Sequence, residues 1–148
     1  ILVVPKIFTD QIFGERADEI RAQYAAGADI DAFQHMPFIL IKRGNRTRSI
    51  VDQYFSRHFF KPKLILETEN TITTLAMTEA GVGITIWPEL FLKTIHVTAS
   101  QSSTDKLDLF PLTDPSTISR LVVGYRRDRY LSHFGERFIE LTQQALKS

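Results

Sequence analysis

The stretch Glu69-Asn70-Thr71-Ile72-Thr73-Thr74-Leu75-Ala76-Met77-Thr78-Glu79-Ala80-Gly81-Val82-Gly83-Ile84-Thr85-Ile86-Trp87-Pro88 decides the fold. Asn70 is a residue that favours the N-cap, and Gly81 a residue that favours the position just past a helix end. Between them the spacing predicts a helix reaching Ala80, with Ile72, Leu75 and Ala76 inward. Gly83 to Trp87 then predicts a buried strand, and Pro88 suits the first position of another short helix. Gly81-Val82-Gly83 follows a helix and precedes a strand, the reverse of a dinucleotide-binding loop.

Outward from this stretch the same alternation recurs. Leu64 to Glu67 reads as a strand. Thr47 to Phe59 reads as a helix, with Ile50/Tyr54 and Val51/Phe55 at i,i+4 spacing. Phe38 to Ile41 is an apolar strand opened by Pro37. Arg16 to Ala26 is a helix with Ala17, Ile20 and Tyr24 on one face and Gly27 as its stop. Leu2 to Val4 is a short strand closed by Pro5. Towards the other end, Thr98 to Lys106 is a polar loop, Leu107 to Leu112 a weakly alternating strand and Arg120 to Tyr125 a further strand. Ser132 caps a last helix with Phe134, Phe138, Leu141 and Ala145 on one stripe. Strand–helix alternation with apolar strands predicts an α/β fold on a parallel sheet.

The 148 residues suit one domain of ordinary soluble composition, 43% hydrophobic and 24% charged. The absence of cysteine excludes disulfides and Cys-ligated metals. No apolar run reaches the ~18 residues of a membrane span. The chain opens on Ile1-Leu2-Val3-Val4, like the middle of a strand, and reads as a piece of something longer. The net charge of +1 is unevenly spread. Residues 42–63 carry seven basic side chains against Asp52 alone, a local +6, and residues 64–119 carry seven acids against two lysines, a local −5. One basic segment in a near-neutral chain fits a local anion site better than a nucleic-acid-coating surface.

The sequence resembles the effector-binding domain of LysR-type transcriptional regulators. The residues that carry the resemblance are Phe38-Ile39-Leu40-Ile41, Ser49-Ile50-Val51-Asp52-Gln53-Tyr54-Phe55, the stretch from Glu69 to Pro88, and Leu121-Val122-Val123-Gly124-Tyr125-Arg126-Arg127 followed by Leu131-Ser132 and Phe138-Ile139. The stretch from Glu79 to Pro88 is the most specific. The resemblance implies a type II periplasmic-binding-protein-like fold, here one complete α/β lobe plus part of the second lobe. Residues 1–5 would be a hinge-crossing strand, residues 6–112 the second lobe of the effector domain, and residues 113–148 the closing strand and helix of the first. It implies a cytoplasmic homodimer or higher oligomer. DNA would be bound only through a domain absent from this chain.

In an open α/β sheet, ligands sit beyond the carboxyl ends of the strands, near helix N-termini. Three such junctions supply candidate effector-binding residues. The first is the loop with Arg43, Gly44, Asn45, Thr47 and Arg48. A helix start there favours an anion, and a guanidinium adds a bidentate clamp. The second holds Asn70 and Thr71. The third holds Trp87, whose indole would form a wall. Asn45, Thr47 and Asn70 also read simply as capping residues, and Trp87 as core.

No catalytic residues and no metal or other cofactor emerge. The histidines (His35, His58, His96, His133) lack metal-ligand spacing, and no nucleophile elbow or P-loop is present. Glu67 and Glu69 share one side of a strand and read as a solvent-facing edge. Arg126, Arg127 and Arg129 read as a solvated strand end. The chain is thus expected to be a sensor for a small, anionic metabolite in a bacterial regulator. A stand-alone solute-binding protein of the same fold, or an enzyme built on it, are the alternatives.

Overall fold

A computed structural model describes residues 1–91, 104–120, 122–126, 128 and 130–147. The chain divides into two compact units, Ile1–Ile118 and Ser119–Ser148.

The described residues of the first unit form five strands: β1 (Leu2–Pro5), β2 (Pro37–Ile41), β3 (Lys63–Thr68), β4 (Thr85–Ile86) and β5 (Leu107–Phe110). β2 and β3 pair in parallel, joined by the right length of chain for a crossover helix, α3 (Arg46–Arg57). Ile84, just before β4, continues this parallel set by bridging Phe38. Its N–H donates to the Pro37 carbonyl at 2.8 Å, and its own carbonyl accepts from Ile39 N–H at 2.9 Å. β1 runs antiparallel to both β4 and β5, with Leu2 opposite Ile86 and Phe110. The expected all-parallel sheet is therefore mixed. β2 and β3 keep the expected parallel pairing, whereas β1 runs antiparallel to both of its neighbours.

The sheet is covered on both faces. Leu2 and Val4 of β1 and Phe38 and Leu40 of β2 point to one face, into a core with Ile20, Tyr24, Phe33, Val51 and Phe55. That core rests on α1 (Lys6–Phe13), α2 (Ala17–Tyr24) and α3. Phe33, Tyr24 and Phe110 lie 5.7–6.1 Å apart between centroids, and Phe38 makes a T-shaped contact with Phe55 at 5.6 Å. Val3, in the opposite pleat, packs with Leu75, Trp87 and Leu107. β1 and β2, buried on both faces, read as unbroken apolar runs for that reason, whereas β3 is mostly exposed.

Several helix expectations hold, with Ala17, Ile20 and Tyr24 all buried on α2. α4 (Thr71–Glu79) starts at Asn70 as expected, but its inner face is different. Leu75 is buried as expected, but Ile72 and Ala76 are exposed, and Thr74 and Thr78 are buried in their place. Threonine reaches the interior by satisfying its hydroxyl locally: Thr78 donates to the Thr74 carbonyl at 3.0 Å, and the Thr68 and Thr74 hydroxyls share a 2.5 Å hydrogen bond. α1, unforeseen in the sequence, fills the segment after Pro5.

The expected loop 98–106 lies outside the described residues up to 103, and Thr104–Lys106 is a single 3-10 turn. In the second unit, residues 120 and 122–126 form no strand, contrary to expectation, and Leu121 lies outside the described residues. A strand without a neighbour has no ladder to complete its backbone hydrogen bonds. The last helix, α5 (His133–Lys147), forms as expected, with Gly135 N–H donating to Ser132 Oγ at 3.2 Å. Its stripe stands in the open: Phe134 is 85% and Phe138 64% exposed.

Candidate functional site

The β2–α3 connection is built by two residues. Gly44 takes φ +94°, a left-handed conformation that costs glycine little. Asn45 then adopts extended backbone and accepts from Thr47 N–H at 2.8 Å, capping α3. At the next junction Asn70 accepts from the N–H groups of Ile72 at 2.7 Å and Thr73 at 3.4 Å, capping α4. Both asparagines therefore serve as caps, and Thr47 and Thr71 sit half-buried in the first turns behind them.

Two open cavities flank this loop. The larger, about 420 Å³, is lined by Lys42, Arg43, Arg48, Leu64 and Glu67. The smaller, about 340 Å³, is lined by residues 41–45 and Glu69. Lys42 and Arg43 border both. Of the predicted site residues, the structure brings Arg43, Gly44, Asn45 and Arg48 to these walls. Asn70, Thr71 and Thr47 are not among the lining residues. Trp87 is only 2% exposed and packs against Val3, Leu75 and Leu107, so the indole is part of the core and not a cavity wall.

The two arginines differ. Arg48 is buried on the first turn of α3, where its guanidinium donates to the Ile41 carbonyl at 2.8 Å, to Asp52 at 2.7 Å and to Glu67. Burial by itself pulls its pKa down. Hydrogen bonds to Asp52 and Glu67 outweigh that and raise it, so the residue is a fixed cation. Arg48 thereby ties the end of β2 to α3 and β3. Arg43 is 82% exposed at the side chain and, among the described residues, has its one ion pair with Asp52, at 3.8 Å.

Sequence reading missed the acidic half of this site. Lys42 Nζ lies 2.6 Å from Glu69. This contact raises the lysine pKa and holds the Glu69 carboxyl below its ordinary value. Glu67 and Glu69 face solvent, as the sequence reads, and also pair with the basic segment. The signal was present in the parallel register, which sets Leu40 beside Glu67 and Ile41 beside Thr68. Among the described residues no group of His, Asp and Glu is placed to hold a metal ion. No described helix is long and apolar enough to cross a membrane.

A family model described as LysR substrate binding domain matches residues 17–147. The HTH-type transcriptional regulator YcgK of Bacillus subtilis (strain 168) is 29% identical over 120 residues, covering 80% of this chain and 34% of its own length. The transcriptional activator protein LysR of Escherichia coli (strain K12) is 38% identical over 56 residues, covering 38% of this chain and 18% of its own. The chain thus spans about a third or less of these curated relatives. Among solved structures, the regulatory domain of Synechocystis PCC6803 CcmR in complex with 2-PG superposes with a TM-score of 0.70 at 18% identity, over 98% of this chain and 61% of that one. The effector-binding domain of QuiR in complex with shikimate gives 0.57 at 14% identity, over 97% and 59%. These matches establish the α/β fold of LysR effector domains. The pairing of that fold with a family match over nearly the whole sequence makes the chain a member of the LysR substrate-binding domain family.

Proposed function

We propose that this chain is the ligand-sensing module of a bacterial LysR-type regulator and takes a small metabolite through an anionic group at the β2–α3 junction. The observation that carries this reading is Arg43, a nearly unpaired guanidinium bordering two cavities beyond the carboxyl ends of parallel strands β2 and β3. That is where open α/β sheets bind ligands, and a guanidinium fork suits a carboxylate or phosphate. The complexes of CcmR with 2-PG and of QuiR with shikimate, on the same fold, support a small-molecule role.

In this reading residues 1–5 form a hinge-crossing strand, residues 6–112 one lobe and residues 113–148 part of the other. Ligand shifts a two-state equilibrium by its differential affinity for the two states. DNA contact belongs to a domain outside this chain, as the HTH-type relatives suggest, and the regulator works in the cytoplasm. The exposed Val122, Phe134 and Phe138 are covered on association into a homodimer or higher oligomer.

The test is a thermal-shift and calorimetric screen of carboxylates, amino acids and sugar phosphates, on the chain and on its Arg43→Ala variant. A ligand at 100 times its Kd stabilises by ~2.7 kcal/mol, which moves the midpoint by several degrees. Loss of that shift in the variant supports the site. A ligand bound equally well without Arg43 removes it.

A further inference from the structure

Each cavity is lined by charges of both signs: Lys42, Arg43 and Arg48 with Glu67 in the larger, Lys42 and Arg43 with Glu69 in the smaller. Asp52, outside both linings, pairs with Arg43 and Arg48. Lys42 and Arg48 are already committed to carboxylates at close range, so they offer an incoming anion little unspent charge. Arg43 is the exception. On the acidic side, Glu67 gives Oε1 to Arg48 and Glu69 gives Oε1 to Lys42, and neither Oε2 takes part in these pairs.

A ligand that is only anionic meets one loosely paired cation and the carboxylates of Glu67 and Glu69. Like charges brought together at such a site cost affinity. A ligand that is only cationic meets Arg43. A molecule bearing both a carboxylate and an ammonium group answers both halves of the lining.

Resting on the sensor reading above, we infer that the ligand of this site is a zwitterionic metabolite of the amino acid class. Arg43 takes its carboxylate through the guanidinium fork. Glu69, with Glu67 beside the larger cavity, takes its ammonium group. Leu64, 39% exposed on the cavity wall, gives the side chain an apolar contact. Selectivity comes from repulsion as well as attraction: phosphates and dicarboxylates face the glutamates, and simple amines face the arginine.

The experiment titrates the chain calorimetrically with the twenty protein amino acids singly. Each binder is then compared with the same molecule lacking its α-amino group and the same molecule lacking its carboxylate. Glu69→Gln is the main variant, because Glu69 is exposed and its loss leaves the core intact; Arg43→Gln is the second. The expected result is saturable binding of at least one amino acid, weakened tenfold or more by removing either charged group. Glu69→Gln weakens the amino acid and strengthens the deaminated acid, a crossover that a merely structural role would not produce. Arg43→Gln weakens both. If simple carboxylates or phosphates bind through Arg43 as tightly as any amino acid, the zwitterion assignment fails while the sensor site stands. If no amino acid, carboxylate or phosphate binds a chain that still melts cooperatively, both are overturned.

Discussion

The Nε of Arg21, on α2, lies 3.1 and 3.0 Å from the two carboxylate oxygens of Asp108, on β5, across 87 residues of chain. The same guanidinium reaches Asp10 of α1 at 2.6 Å and Asp18 at 2.8 Å. Asp108 is 7% exposed, so this arginine is what makes its burial tolerable. Arg21→Ala is expected to destabilise the fold by about 3 kcal/mol, because it strands a buried carboxylate. Arg21→Lys should recover only part, since an ammonium group cannot reproduce the fork. Urea unfolding of the three proteins tests this, and an alanine variant as stable as the parent would refute it.

A second prediction concerns acid. Ser116 holds the Asp114 carboxyl down to about 2, its N–H donating at 2.7 Å, with lesser help from His58 and Arg57. A carboxyl with a depressed native pKa contributes stability that is complete above its unfolded value near 4 and is lost as pH falls towards 2. Asp114→Asn keeps the capping oxygen but not the charge. The stability difference between parent and variant should therefore be constant from pH 7 to about 4 and shrink between about 4 and 2. Urea midpoints across that range measure it. A difference that persists unchanged at pH 2 rules the explanation out.

Gly83 supplies a third. A Cβ placed there would lie 2.7 Å from the Pro37 carbonyl oxygen and 3.0 Å from Ile39 Cγ1. The obstacle is backbone, in the strand that Ile84 must bridge. Gly83→Ala should cost about 2 kcal/mol by forcing β2 and the segment before β4 apart. The Ile84 amide should also exchange faster with solvent. Unchanged stability and exchange would show that the close approach is not needed.

Trp87 reports on the core. Its Nε1 is buried with no hydrogen-bond partner among the described residues. Its native emission should be blue-shifted and poorly quenched by acrylamide, becoming quenchable on unfolding. Trp87→Phe removes the unpaired donor and should cost less than about 1.5 kcal/mol. Trp87→Ala should cost about 3–5 kcal/mol. Ligand that raises the melting midpoint should leave the emission maximum in place. A ligand-dependent shift of that maximum would return Trp87 to the cavity wall.

The order of elements was legible because its signals are local. Asn45 and Asn70 cap because an amide side chain can reach the first N–H groups of its own helix, whatever lies elsewhere. Gly81, at φ +74°, ends α4 for an equally local reason. The face of α4 was misread because burial depends on what arrives from outside: Thr74 and Thr78 are buried and Ile72 is left out. The strand expected at 120–125 failed for the same kind of reason, since a strand exists only with a neighbour.

The sequence by itself determined the strand–helix alternation, the caps, the basic β2–α3 loop and the family to which it belongs. Tertiary structure alone decided which charges in that loop are free. Glu67 and Glu69 lie 24 and 27 residues from Arg43 and Lys42 along the chain, yet the parallel pairing of β2 and β3 brings them to the same cavities. Charge counted along a sequence is a one-dimensional quantity, whereas Coulomb interaction falls with distance in space. In the fold Lys42 and Arg48 of this +6 segment are paired with Glu69 and Glu67, and Arg43 is left the loosely paired cation.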